Sequence, residues 1–131
     1  MRTVLVTGAA GGIGTRLRKL LDGVYPRIIW SDIRAPADLK RSKDFVQADI
    51  ADLAAMEKLC KGVDGIVHLG GFSVEGPWDT ILQSNIIGCY NLFDDANTTR
   101  STRCVRILAT ASARRSARRS ARSMPSSTGC A

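Results

Sequence analysis

Short apolar runs alternate along the chain with longer segments in which leucine, isoleucine and methionine recur at helical spacing. The short runs are rich in β-branched residues and end in polar or glycine positions, which is typical of buried strands. The pattern predicts strands at 3–7, 27–31, 45–48, 63–69 and 104–108, and helices at 12–21, 53–61 and 77–96. Asp52 is expected to cap the second helix. Alternating strands and helices favour an α/β fold, with a parallel sheet flanked by helices.

Three glycines separate the first strand from the first helix. Gly8, Gly11 and Gly14 form a Gly-x-x-Gly-x-x-Gly motif. In this context the first glycine permits a tight turn, the second lets the backbone approach a pyrophosphate, and the third allows close packing of the helix. The unpaired N–H groups at the start of the helix favour an anion. The motif therefore predicts a Rossmann-type, doubly wound sheet that binds a dinucleotide.

An acidic residue follows the second predicted strand. Asp32 lies 18 residues after Gly14, and a carboxylate at this distance hydrogen-bonds the adenosine ribose and repels a 2′-phosphate. The residue favours NAD over NADP. Arg34 leaves a second interpretation open, because it could pair with a 2′-phosphate if Asp32 turned away.

The net charge of +7 is unevenly distributed along the chain. Residues 1–99 carry eleven Lys and Arg against twelve Asp and Glu, whereas residues 100–131 carry eight arginines and no acidic residue. From position 112 the sequence repeats Ser-Ala-Arg-Arg. Such a segment cannot bury enough apolar surface to offset its ordering entropy. We therefore predict a partial dinucleotide-binding domain over 1–111, with about five strands, and a disordered basic tail over 112–131.

Two explanations of the tail remain open. A shifted reading frame in a GC-rich gene, beginning near residues 97–112, would yield Arg, Ala, Ser, Gly and Pro and a truncated chain, and the composition favours this explanation. Alternatively, the tail is a selected module that binds RNA or another polyanion. It contains no aromatic residue for base stacking, so a specific nucleic-acid partner is not expected.

Composition also bears on the location of the protein. No apolar run reaches 18 residues, so no membrane span is expected. The N-terminus opens directly into a predicted strand, which leaves no room for a signal peptide. The cysteines at positions 60, 89, 104 and 130 lack the paired spacing of a metal site. We expect them to be reduced thiols in the cytoplasm.

Two further segments narrow the interpretation. Residues 68–75 read His-Leu-Gly-Gly-Phe-Ser-Val-Glu, and residues 81–92 read Ile-Leu-Gln-Ser-Asn-Ile-Ile-Gly-Cys-Tyr-Asn-Leu. Together with the glycine motif, they resemble the extended short-chain dehydrogenase/reductase superfamily of epimerases and dehydratases, and within it the bacterial uronate dehydrogenases. The resemblance covers residues 1 to about 97. It implies NAD as the cofactor and a small sugar acid as the substrate, with a hexuronate oxidised at its anomeric carbon to an aldarolactone.

The resemblance also implies roles for individual positions. The phosphate loop would consist of Gly8, Gly11, Gly12, Ile13 and Gly14, and Asp32 would hold the adenosine ribose. Asp49 and Ile50 would border the adenine, and Leu69, Gly70 and Gly71 would line the inner side of the cofactor. Asn85 would support the hydrogen-bond network of the site. Ser73 matches a substrate-contacting serine. Asp49 could instead terminate the third strand, and Ser73 could serve only the loop. His68 lies in a buried apolar strand, which favours a packed histidine over a catalytic base.

The superfamily's catalytic residues are expected at and after the fifth strand. Relatives carry Tyr-x-x-x-Lys, in which the lysine lowers the pKa of the tyrosine and the tyrosinate removes the hydroxyl proton. This chain has only Tyr25 and Tyr90, and no lysine after Lys61. Ser112, or alternatively Thr110, would be the catalytic hydroxyl. We therefore expect the chain to be inactive by itself. Alternatives are an NAD-sensing module whose tail binds a polyanion, and a fragment of a nucleotide-sugar epimerase or dehydratase.

Overall fold

The computed structural model describes residues 2–39, 43–98 and 103–106. Five strands form one sheet: β1 (Thr3–Thr7), β2 (Arg27–Asp32), β3 (Phe45–Gln47), β4 (Gly65–His68) and β5 (Arg103–Arg106). Their order is β3-β2-β1-β4-β5, and every neighbouring pair is parallel. The chain thus moves outward from β1 in one direction, crosses over, and continues through β4 and β5 in the other. This is the doubly wound, Rossmann-type arrangement that the sequence predicts.

Helices follow β1, β3 and β4 along the chain. They are α1 (Gly12–Leu20), α2 (Leu53–Cys60), and a composite helix after β4 made of α3 (Trp78–Ile81), a π-helical turn (Leu82–Ile87) and α4 (Gly88–Thr98). As predicted, Asp52 caps α2: its Oδ1 accepts a hydrogen bond from the N–H of Ala55 at 3.1 Å. The residue before α1 is Gly11, which offers no side chain to the first N–H groups of that helix.

Apolar cores lie on both faces of the sheet. On one face, Leu5, Ile29 and Ile66 lie at the same level of β1, β2 and β4 and pack with residues of α2 and α4. The opposite face carries a second core that includes Val4 and Trp30. Neighbouring positions alternate between the faces because a strand has a two-residue period. Both faces of the sheet thus carry buried apolar residues, and the predicted parallel sheet is confirmed.

The helix after β4 differs from the continuous α-helix predicted at 77–96. Its middle six residues, Leu82–Ile87, form a π-helical turn. This turn contains Asn85, whose side-chain amide is bonded to the backbone of Phe72. A single π turn adds only one residue to the helical repeat, and such turns are frequent at functional sites. The apolar spacing of the segment therefore does not distinguish it from a regular helix.

The end of the chain lies mostly outside the described residues. The fifth predicted strand, 104–108, is observed as Arg103–Arg106 and pairs in parallel with β4. The predicted disordered tail, 112–131, falls outside the description. Within the described ranges, no helix combines the length and apolarity needed to cross a membrane.

Candidate binding cleft

A cleft of about 530 Å³ opens at the carboxyl edge of the sheet, over the ends of β1, β2 and β4. In doubly wound sheets, ligands bind at this edge, where the strand order reverses. Eight of the predicted site residues line the cleft: Gly8, Gly11, Asp32, Asp49, Ile50, Leu69, Gly70 and Gly71. Five others are not among its lining residues: Gly12, Ile13, Gly14, Ser73 and Asn85. The tertiary structure thus brings together segments that are far apart in the sequence.

The glycine loop is packed too closely for side chains at two positions. Gly8 has φ +74°, and a Cβ there would lie 2.6 Å from the carbonyl carbon of Leu69. Gly14 is buried, and a Cβ there would overlap the carbonyl oxygen of Gly8 and the backbone of Ala9. The third glycine of the motif therefore lets α1 approach the loop that precedes it. The motif predicts that this glycine lets the helix pack closely on the sheet, and the structure shows that it also lets the helix pack on Gly8 and Ala9.

The N-terminus of α1 adjoins the cleft through Gly11, the residue before the helix, and has little side-chain cover. Gly11 lines the cleft, and its own N–H donates to the carbonyl of Gly8 at 3.1 Å. At Gly12 a Cβ would meet nothing within 4 Å, so this position borders open space. Ile13 is 39% exposed. An uncapped helix N-terminus beside a cleft favours a negatively charged group.

Asp32 ends β2 with its carboxylate turned toward the glycine loop. Its Oδ2 accepts a hydrogen bond from the N–H of Ala10 at 2.8 Å, and its Oδ1 accepts one from the N–H of Arg34 at 3.1 Å. The carboxylate is thus held at the cleft wall by two backbone donors. Arg34 also lines the cleft, but the structure does not turn Asp32 away to make room for a phosphate beside it.

Asp49 and Ile50, which follow β3, also line the cleft. The Oδ1 of Asp49 accepts a hydrogen bond from the N–H of Ala51 at 2.9 Å, which closes a short turn. Asn91 on α4 donates to the carbonyls of Ile50 and Ala51 at 3.1 and 3.0 Å. Asn91 is a buried supporting residue that sequence reasoning missed. Its partners lie about forty residues away along the chain, so no local pattern could identify it.

The inner wall consists of Leu69, Gly70 and Gly71, which follow β4 directly. Asn85 stands behind this wall. It accepts a hydrogen bond from the N–H of Phe72 at 2.7 Å and donates to the Phe72 carbonyl at 2.8 Å. A Cβ on Gly71 would lie 2.9 Å from the Oδ1 of Asn85. Asn85 therefore holds the loop that lines the cleft rather than lining it.

His68 is a buried residue beneath the cleft, as its apolar surroundings predict. It is 3% exposed, and its Nδ1 lies 2.7 Å from the hydroxyl of Thr7. Its Nε2 lies 3.4 Å from the Sγ of Cys89. Both ring nitrogens therefore have neighbours within the protein, which agrees with a packed histidine.

Several cleft residues received no role from the sequence. These additional lining residues include Thr7, Ser31, Phe72, Thr80 and Ser84. Ser73 is exposed and adjoins the cleft through its neighbour Phe72. The two expected positions for a catalytic hydroxyl, Thr110 and Ser112, lie outside the described residues. Tyr25 packs against the second core, and Tyr90 is 66% exposed on α4.

Known proteins share the sequence and the architecture of this chain. Uronate dehydrogenase from Agrobacterium fabrum is 42% identical over 105 residues, which cover 80% of this chain and 40% of that protein. A crystal structure of a mutant uronate dehydrogenase from Agrobacterium tumefaciens, complexed with NAD, superposes with a TM-score of 0.74 at 42% identity. That match covers 81% of this chain and 40% of the other. Glucuronic acid dehydrogenase from Chromohalobacter salexigens superposes with a TM-score of 0.72 at 44% identity, covering 79% and 39%.

The chain spans about two fifths of the length of the uronate dehydrogenases it matches. Residues 4–121 match the sequence model of a known protein family. That match extends over most of the sequence and includes every element that builds the cleft. Together with the glycine loop, the carboxylate after β2 and the doubly wound sheet, it shows that the chain belongs to the NAD dependent epimerase/dehydratase family.

Proposed function

We propose that this chain binds NAD in the cleft at the carboxyl edge of its sheet. The observation that carries the proposal is that an uncapped α1 N-terminus and the fixed carboxylate of Asp32 adjoin the same cleft. Helix N–H groups suit a pyrophosphate, and a carboxylate suits the two hydroxyls of the adenosine ribose. The residues present therefore fit a dinucleotide.

Each wall of the cleft takes a separate part of the cofactor in this proposal. The loop from Gly8 to Gly14 holds the pyrophosphate, Asp32 the ribose, and Asp49 with Ile50 the adenine. Leu69, Gly70 and Gly71 border the inner side, where glycine lets the backbone come close. Asn85 acts through Phe72, because it fixes the loop that carries this inner wall.

We further propose that the chain is the dinucleotide-binding part of a dehydrogenase that acts on a hexuronate. The support is the 42% identity to uronate dehydrogenases over most of this chain. NAD, when bound, would supply the hydride acceptor for oxidation of the anomeric carbon in the complete dehydrogenase. Ser73, next to the cleft, would contact the sugar acid. The 131 residues contain no Tyr-x-x-x-Lys pair, so the chain is proposed to bind NAD without turning over a uronate by itself.

Calorimetric titration with NAD tests the binding proposal. Wild type should bind, and Gly11→Val should not, because its side chain would enter the first turn of α1 at the place assigned to the pyrophosphate. Asp22→Ala is the matched control: this exposed residue follows α1, at the opposite end from the cleft. Equal affinity of wild type and Gly11→Val would refute the assignment.

A second candidate function is an NAD-sensing module without catalytic activity, whose basic segment contacts a polyanion. The lack of the Tyr-x-x-x-Lys pair in these residues favours it. Filter binding to a homopolymeric RNA, with and without NAD, distinguishes the module from the dehydrogenase part. RNA affinity that NAD alters would support the module.

A further inference from the structure

A row of three hydroxyl and imidazole side chains crosses the sheet directly beneath the cleft. Thr7 on β1 is in register with Ser31 on β2 and with His68 on β4. Each residue lies two positions beyond an apolar core residue of its own strand, at Leu5, Ile29 and Ile66. Because side chains two positions apart share a face, the row lies on the same face as that core.

The members of this row differ in their hydrogen bonding. Thr7 and His68 bond to each other at 2.7 Å, and the Thr7 hydroxyl also accepts from the N–H of Gly70 at 3.4 Å. Ser31 is 1% exposed, and its Oγ has no hydrogen-bond partner among the described residues. A buried hydroxyl without a partner destabilises a folded protein, and such groups are rare.

The position of Ser31 indicates what its partner is. The residue lines the cleft, immediately precedes Asp32, and is in register with Val46 on β3. The segment after β3, from Ala48 to Ile50, lines the same cleft and also packs against the core face on which Ser31 lies. Ser31 thus stands at the end of the cleft where Asp32 and the wall after β3 meet.

We propose that the Ser31 hydroxyl is a cofactor-binding group that completes its hydrogen bonding with the adenosine half of a bound dinucleotide. The inference rests on the proposed NAD site and adds a contact to it. The adenosine half is the part that Asp32 and Asp49 are assigned to hold. It offers ribose hydroxyls and adenine nitrogens, and a serine hydroxyl can donate to or accept from either.

Titration with parts of the cofactor tests this contact. Ser31→Ala should weaken the binding of NAD and of ADP-ribose by about tenfold, the value of one hydrogen bond. Nicotinamide mononucleotide lacks adenosine, so its affinity should be the same for both proteins. Unchanged ADP-ribose affinity in Ser31→Ala would overturn the contact while leaving the NAD site intact. Wild type that binds neither NAD nor ADP-ribose would overturn both proposals.

Thermal unfolding without nucleotide provides a second measurement, in which Ser31→Ala should improve stability although it weakens binding. Because the variant removes a buried hydroxyl that lacks a protein partner, Ser31→Ala should unfold at a higher temperature than wild type. A residue with only a structural role would not combine higher stability with weaker ADP-ribose binding. A lower unfolding temperature would reveal a protein partner and overturn the proposal. If the alanine variant does not fold, Ser31→Cys preserves the size with a much weaker hydrogen-bonding group and should give the same loss of ADP-ribose affinity.

Discussion

Asp32 is held between two backbone donors that belong to different parts of the cleft. Ala10 lies in the glycine loop and Arg34 lies beyond β2, and the N–H of each bonds to a different carboxylate oxygen. The carboxylate is therefore preorganised, since its orientation is set before any ligand arrives. A preorganised group loses less conformational entropy when it binds.

Asp32→Ala should weaken NAD binding by about 10- to 100-fold, because a hydrogen bond to a charged group contributes about 1.5–3 kcal/mol. NADP binding should fall less, or rise, because the substitution also removes a negative charge that repels the 2′-phosphate. Parallel titrations of both dinucleotides measure the ratio, with Asp22→Ala as the control. A variant that loses NAD and NADP affinity to the same extent would show that Asp32 does not discriminate between them.

A second carboxylate, Asp64, connects the start of β1 to the start of β4. It accepts hydrogen bonds from the N–H groups of Thr3 and Arg2, each at 2.7 Å. The hydrogen bond from Thr3, and after it the bond from Arg2, hold the pKa of Asp64 below its usual value. A carboxyl with a lower pKa in the folded state stabilises the protein above its unfolded pKa, and the contribution is lost as the pH falls through the folded value.

Asp64→Ala should therefore unfold at a lower temperature than wild type near pH 7. The difference should shrink as the pH falls below about 4, because both proteins then lack the charged acceptor. Unfolding curves recorded from neutral to acidic pH measure this effect. Asp22→Ala, which removes an exposed carboxylate elsewhere on the surface, is the control variant. A difference that is constant across this range would mean that the charge on Asp64 does not contribute.

At the scale of elements, α1 contains two glycines with contrasting surroundings. Gly12 borders open space, whereas Gly14 packs against the backbone of Gly8 and Ala9. Alanine normally stabilises a helix relative to glycine by up to about 1 kcal/mol. Substituting alanine at each position therefore distinguishes the effect of helix propensity, at Gly12, from the effect of close packing, at Gly14.

Gly12→Ala should leave the free energy of unfolding unchanged or raise it by up to about 1 kcal/mol. Gly14→Ala should lower it by about 1–3 kcal/mol or more, because the added Cβ forces the helix away from the loop. Urea unfolding of the two variants beside wild type gives both values. If Gly14→Ala were as stable as Gly12→Ala, the close approach of α1 to the loop would be wrong.

The composite helix after β4 shows how one element supports the site from two directions. Asn85, in the π-helical turn, holds the backbone of Phe72 on one side of the cleft. Asn91, in α4, holds the carbonyls of Ile50 and Ala51 on another. Both walls therefore depend on the same helix, and a displacement of that helix would change both.

At the scale of the whole molecule, the 131 residues contain no Tyr-x-x-x-Lys pair to act as the general base in uronate oxidation. Oxidation of glucuronate or galacturonate should be undetectable for the 131-residue chain, because general-base catalysis alone contributes roughly 10²–10⁴-fold. Turnover is measured with each uronate from the increase in the absorbance of NADH. Activity that persists through purification and disappears in Gly11→Val would show that a group outside the Tyr-x-x-x-Lys motif acts as the base.

Much of the architecture is predictable from local sequence. The run that forms β1, the three glycines and the start of α1 are adjacent, so strand, turn and helix are each specified by neighbouring residues. Asp52 likewise caps α2 through the N–H of Ala55, three residues away. Backbone conformation and side-chain period are local properties, and both therefore leave a pattern in the sequence.

Only the tertiary structure decides which distant groups meet. The contact of Thr7 with His68, the bonds from Asn91 to Ile50, and the position of Ser31 in the cleft wall all depend on strand register and helix packing. Asn85 illustrates the difference: the family resemblance implies a supporting role for this asparagine, and the structure shows that its hydrogen bonds go to the backbone of Phe72. Apolar periodicity determines which face of an element is buried. The packing of those faces against one another determines which polar side chains come together at the cleft.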